Sequence, residues 1–141
     1  MTESTAPPSI DALATLDALD SAFFAYAVAV PTQAALAADY CGFLCDGGRV
    51  FARTNLAGHF TGSAFVVSAD GKRTLLLHHA KLGRWLQPGG PADGELDLAA
   101  VALLEAQEET GLAGLVVEPA IFDLDRHAIP ARGAEPEHLH W

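Results

Sequence analysis

Three glutamates, Glu105, Glu108 and Glu109, stand at i, i+3 and i+4, so on a helix their carboxylates leave one face within a single turn. The arrangement is electrostatically costly. Like charges at this spacing repel, and in the last turns of a helix the macrodipole adds to the cost. An acidic run is ordinarily a solvated face, so the flanking residues must decide whether this one does chemistry. Histidines supply a second set of reactive groups. His78 and His79 alternate across a strand and cannot share a site, whereas His138 and His140 face the same side of any extended segment and form a candidate metal pair. The plainer expectation for that pair is a frayed tail. His59 and His127 have no role assignable from sequence. Cys41 and Cys45 are four apart on a helical stretch, with no second Cys or His pair at zinc-ligand spacing, and read as reduced, half-buried thiols.

The flanks change the weight of the acidic run. Trp85-Leu86-Gln87-Pro88-Gly89-Gly90 leads into the helix and Gly111-Leu112 leaves it, giving GGPADGELDLAAVALLEAQEETGL. This stretch resembles the Nudix box, G-x5-E-x7-R-E-U-x-E-E-x-G-U, where U is a bulky aliphatic residue. Gly90, Glu105, Glu108, Glu109, Gly111 and Leu112 fall in register, and Ala106 takes the first U. Upstream, GHFTGSAFVV and LLLHHAKLGRWLQPGG are similar to the strands and loop that precede the box, so the resemblance spans residues 53–141. Two positions depart from the pattern. Its first glutamate falls on Leu96, with Glu95 one residue early, which reads as a one-residue slip in the loop. Its arginine, which in the family holds the glutamates by a salt bridge, falls on Leu104. Pro91, directly after Gly90, also removes a backbone N–H from the loop.

The resemblance implies a mixed sheet sandwiched between helices and hydrolysis of a phosphoanhydride bond in a nucleoside diphosphate linked to another moiety. Hard carboxylate oxygens suit Mg²⁺ or Mn²⁺, which keep waters and substrate phosphates among their ligands. By resemblance Glu105, Glu108, Glu109 and the Gly90 carbonyl are the metal ligands, with Glu108 or Glu109 as the base. Arg84 and Lys81 are the candidates for contacting substrate phosphates, and Trp85 could stack on a base, although an aromatic anchoring the loop is the commoner use. The competing expectation is a degenerate Nudix domain that binds a nucleotide or partner without turning it over, motivated by Leu104. A plain acidic helical scaffold is a third, more distant reading.

Elements able to position these groups can be read along the chain. Residues 1–8 are polar, and Ser9 can cap an Ala/Leu-rich helix running toward Val30 and ended by Pro31. Thr32 can cap a second helix through about Leu44, stopped by Asp46-Gly47-Gly48. Residues 63–68 and 73–79 read as paired strands around the turn Ala69-Asp70-Gly71. A loop over residues 80–90 precedes a helix from about Asp97 to Thr110, with Gly111 placed for a left-handed C-cap. Residues 115–122 are the next strand candidate, interrupted by Pro119, and the segment after Asp125 is polar.

The expected organisation is an N-terminal helical extension, residues 1–48, followed by an α/β Nudix-like domain, residues 49–141. Only 29 residues follow Leu112, so the C-terminal side of the sheet is expected to be short or truncated. The 141 residues carry 18 acids against 8 Lys plus Arg, a formal charge of -10, which excludes a binder of nucleic-acid backbone. A polyanionic ligand therefore needs a cation or a local basic patch, for which Lys72, Arg73, Lys81 and Arg84 are candidates. The apolar run at residues 22–30 is too short to span a bilayer, so a soluble cytoplasmic protein acting on a small nucleotide, without membrane contact, is expected. Oligomeric state is not legible.

Overall fold

The structure, a computed structural model, describes residues 9–80 and 82–141. Helix α1, Ile10–Ala29, begins where Ser9 Oγ accepts the Ala12 amide at 3.1 Å. Its Phe23 and Tyr26, three apart, are buried, while Leu13, Phe24 and Val28 lie on exposed surface. The helix as formed is longer than the run judged from sequence. Its stretch Asp11–Ala29, with mean hydropathy 1.3, has the length and composition of a membrane span. Here one face of it is sealed against protein, through Phe23 and Tyr26.

Pro31–Gln33 form a 3₁₀ turn, and helix α2, Ala34–Leu44, follows with Gln33 as its N-cap and no side-chain cap bond. Thr32 is therefore not the cap. Proline fixes φ and opens the tighter turn one residue before the threonine, which leaves Thr32 inside it. Ala37, Tyr40 and Leu44 point α2 inward, and a second 3₁₀ turn, Gly47–Phe51, closes the unit from Gly47 in the left-handed region, φ 73°.

The strands are short and numerous: β1 Gly58–His59, β2 Thr61–Ser63, β3 Val66–Val67, β4 Thr74–Leu75, β5 Leu77–His79, β6 Arg84–Leu86, β7 Gly89–Pro91, β8 His127–Ile129 and β9 His138–His140. Antiparallel pairs join β2 to β7, β3 to β4 and β5 to β6. A three-stranded sheet has the order β1-β9-β8, with β1 parallel and β8 antiparallel to β9.

The mixed α and β content expected from sequence is present, but the β structure is divided into four small sheets among the described residues. The turn at Asp70 forms as expected, with Asp70 Oδ1 accepting from Ser68 Oγ and from the Lys72 amide and Gly71 at φ 69°. Three expectations are corrected. The run 73–79 is divided between β4 and β5, because Leu77–His79 pair onward with Arg84–Leu86 rather than back across the turn. Residues 80–90 accordingly contain β6 and the start of β7 instead of a continuous loop. Residues 115–122 form no strand; Pro119 has no N–H for a ladder, and Val116 is 90% exposed, with nothing to bury its apolar face.

One aromatic core unites helices and strands. Phe60, between β1 and β2, is fully buried and meets Phe23, Tyr40, Phe43 and Phe51 at ring-centroid distances of 4.9–6.0 Å. Trp141 stacks on Phe43 at 4.4 Å, and Arg126 lies over its ring while pairing with Asp39 at 2.8 Å. The Tyr40 hydroxyl donates to the Asp125 carbonyl, and burial raises its pKa. These contacts tie α2 to the segment carrying β8 and β9.

Candidate active site

Helix α3, Leu98–Thr110, carries the acidic run. Asp97 caps it, its Oδ1 accepting the amides of Ala99 and Ala100 at 3.1 Å each, and Gly111 ends it in the left-handed region at φ 69°. Val101, Ala102 and Ala106 bury the inner face. That face lies on β2 at Gly62, where an added Cβ would come within 2.8 Å of the Leu98 carbonyl and 2.9 Å of the Ala102 nitrogen. Only glycine permits so close an approach. Because β2 pairs with β7, the same contact carries the Gly89–Pro91 strand alongside the helix.

The consequence is a meeting of carboxylates and bare backbone. The Gly89 amide donates to Glu109 Oε2 at 3.0 Å. A Cβ on Gly90 would lie 2.6 Å from the Glu105 carboxyl carbon and Oε1, so Gly90 abuts that carboxylate directly. Glu105 is half-buried, whereas Glu108 and Glu109 are exposed. Burial raises the Glu105 pKa first, and the charges of Glu109, Glu108 and Asp93 raise it further, with Arg53 opposing them.

Arg53 and Asp93 are the part of this region that sequence reading missed. Among the described residues Asp93 is the non-glycine one with positive φ, 51°, and the Arg53 guanidinium grips both its oxygens, one at 2.6 Å. This bond holds the Asp93 carboxyl below its ordinary range. The dipeptide Asp93-Gly94, in a turn directly after the box glycines, was the available signal.

The other sequence candidates are placed as follows. Leu104 is 52% exposed, so no pocket encloses the position where the Nudix pattern carries arginine. Leu96 packs on the core, and Glu95 turns to the start of α3, its Oε1 accepting the Asp97 amide at 3.0 Å. Trp85, 66% exposed, crosses from His78 at a ring distance of 5.1 Å and lines a cleft of about 780 Å³ with Val66, Arg73, Leu75 and Leu112. Arg84 is exposed on β6 opposite His79. Lys81 lies outside the described residues. A second cleft, about 580 Å³, opens beside the acidic run and is lined by Leu77, His78, His79, Gln87, Gly89 and Glu109.

The late histidines do not fray: His138 and His140 form the ends of β9 and face the same side, as the alternation requires. Cys41 and Cys45 are free, with Cys41 half-buried and its pKa raised to about 11, chiefly by burial, and Cys45 exposed. No protein-family model matches the chain, and no curated protein matches it either.

Proposed function

We propose that the chain is a Nudix-type pyrophosphohydrolase that cleaves the phosphoanhydride of a nucleoside diphosphate linked to another moiety, using Mg²⁺ or Mn²⁺, in the cytoplasm. The observation that carries this reading is the convergence of Glu105 and Glu109 on the side-chain-free backbone of Gly89 and Gly90. The donor set fits a hard divalent cation. Glu105 sits half-buried among like charges that disfavour its ionised form, a strain that a cation relieves. Glu105, Glu108 and Glu109, with the Gly90 carbonyl, are the residues that would hold it. Bound there, the cation would supply Lewis acidity and neutralise the pyrophosphate.

The remaining work falls to the chain. The Gly89 amide holds Glu109 in a fixed orientation. Glu108, exposed and next in charge range of Glu105, is the candidate to accept the proton of the attacking water. The cleft beside Glu109 is lined by both His78 and His79, contrary to the expectation that strand alternation keeps them from one site, and with Gln87 they offer polar contacts for the substrate. Arg53 lowers the Glu105 pKa only weakly, because its guanidinium is paired with Asp93, so the position that the Nudix pattern gives to arginine stays without an equivalent cation among the described residues.

A binding domain without turnover is the second reading, favoured by the exposure of Leu104. The test is a panel of ADP-ribose, NADH, dinucleoside polyphosphates and nucleoside triphosphates, assayed for nucleotide release with Mg²⁺ and with chelator. Metal-dependent release from a dinucleotide-type substrate supports hydrolysis. Stabilisation of the fold by one of these nucleotides without release supports the binding domain, and silence across both assays removes both readings.

A further inference from the structure

Four histidines from three strands meet on one face of the β1-β9-β8 sheet. His59 pairs in register with His140, and His140 with His127, so the three rings stand side by side across the strands. His138 is two residues before His140 and therefore shares its face. His59 and His138 are buried, and one potential ligand nitrogen from each of His59, His138 and His140 lies within 4.8 Å of the other two.

The His138 ring is held as a metal-binding imidazole is held. His138 Nδ1 lies 3.0 Å from the Pro136 carbonyl, an acceptor only, so that nitrogen carries the proton and Nε2 presents its lone pair. That lone pair faces His140 Nε2 at 3.3 Å. Two nitrogens bound tetrahedrally to Zn²⁺ at about 2.05 Å sit roughly 3.3 Å apart, so this pair already spans one edge of a zinc site. His59 Nδ1 is buried with no hydrogen-bond partner among the described residues, an unusual state for a polar atom and one that a ligand role would end. Glu135 Oε1, 4.0 Å from His138 Nε2, offers charge compensation and a fourth donor. His127 stands outside this trio, its ring centroid 5.7 Å from that of His140 and its Nδ1 held by Asp125 at 2.7 Å.

We propose that His59, His138 and His140 form a site for one Zn²⁺-class ion, separate from the α3 glutamates, that pins β9 to β1. Imidazole nitrogens suit zinc, cobalt and nickel, whereas the carboxylate cluster suits magnesium, so the two centres select different metals.

The experiment uses the full chain, stripped with chelator and then titrated with Co²⁺ and Zn²⁺ in the presence of excess Mg²⁺. One equivalent of Co²⁺ is expected to give the intense visible absorption of tetrahedral coordination, displaced by Zn²⁺, and Zn²⁺ is expected to raise the melting temperature. His140→Gln and His59→Asn should each weaken binding by at least roughly tenfold, while Glu109→Gln leaves it unchanged. If the histidine variants do not fold, the shifted imidazole N–H resonances of the Co²⁺ form count the histidine ligands in the wild type. No cobalt absorption, or binding abolished by Glu109→Gln and untouched by His140→Gln, overturns the proposal.

Discussion

Gly90→Ala separates the proposed site from the fold. Gly90 is not among the glycines with positive φ, so its backbone accepts alanine, and the change by itself limits the unfolded chain. The new Cβ would stand 2.6 Å from Glu105 Cδ and Oε1 and 2.7 Å from Oε2. Ordinary contact is about 3.5 Å, so the carboxylate must retreat by roughly 0.9 Å. It is the far end of a flexible side chain, and moving it costs about 0.5–1.5 kcal/mol in rotamer strain. Misplacing a catalytic group by about 1 Å costs on the order of 100-fold in rate, or about 2.7 kcal/mol of transition-state stabilisation. Gly90→Ala should therefore melt within a few degrees of wild type and lose about two orders of magnitude in metal-dependent turnover. Gly62→Ala is the contrast, because its Cβ would meet the Leu98 carbonyl and Ala102 nitrogen of the helix backbone, which cannot swing aside. It should cost about 1–3 kcal/mol of stability. A Gly90→Ala protein with undiminished turnover would refute the role given to Glu105, and one that fails to fold would show that the helix, not the side chain, absorbs the clash.

Two further outcomes are expected. Burial and its acidic neighbours raise the Glu105 pKa above the ordinary glutamate value, so its stability contribution is fully present below that value and is lost as pH rises through the higher folded pKa. Glu105→Gln should consequently raise the melting temperature of the metal-free protein at pH 7, with the gain vanishing near the unperturbed value; an equal gain at both pH values would contradict the assignment. Leu104→Arg, at an exposed position, should alter stability by no more than about 0.5 kcal/mol. By placing a cation one turn before Glu108 it should raise turnover and lower the Mg²⁺ requirement, and background activity after normal folding would remove the missing arginine as the limiting feature.

Legibility from sequence followed the range of the interactions. Helix α3 was readable to its caps because Asp97 and Gly111 act on backbone groups within three or four residues. The Asp70 turn was readable for the same reason. The Thr32 cap failed because a proline one residue earlier set a competing turn. Strand pairing was read only where a short turn dictated it: β5 leaves the expected hairpin for β6, a choice made by tertiary packing. The approach of Glu105 to Gly90 was legible as a motif, but Arg53 reaches Asp93 from 40 residues away and carries no local signature. His59 likewise gave no signal, since only the parallel pairing of β1 with β9 brings it opposite His140, 81 positions on.

Glu109→Gln tests most directly whether the α3 glutamates would hold a divalent cation on which hydrolysis depends. The amide oxygen of glutamine can still accept the Gly89 N–H that Glu109 now accepts at 3.0 Å, so the loop keeps its anchor while the charge is lost. Turnover measured across a Mg²⁺ titration, beside a thermal melt, should show an intact fold and activity at background even at saturating metal. Wild-type turnover from Glu109→Gln at saturating Mg²⁺ would contradict the account.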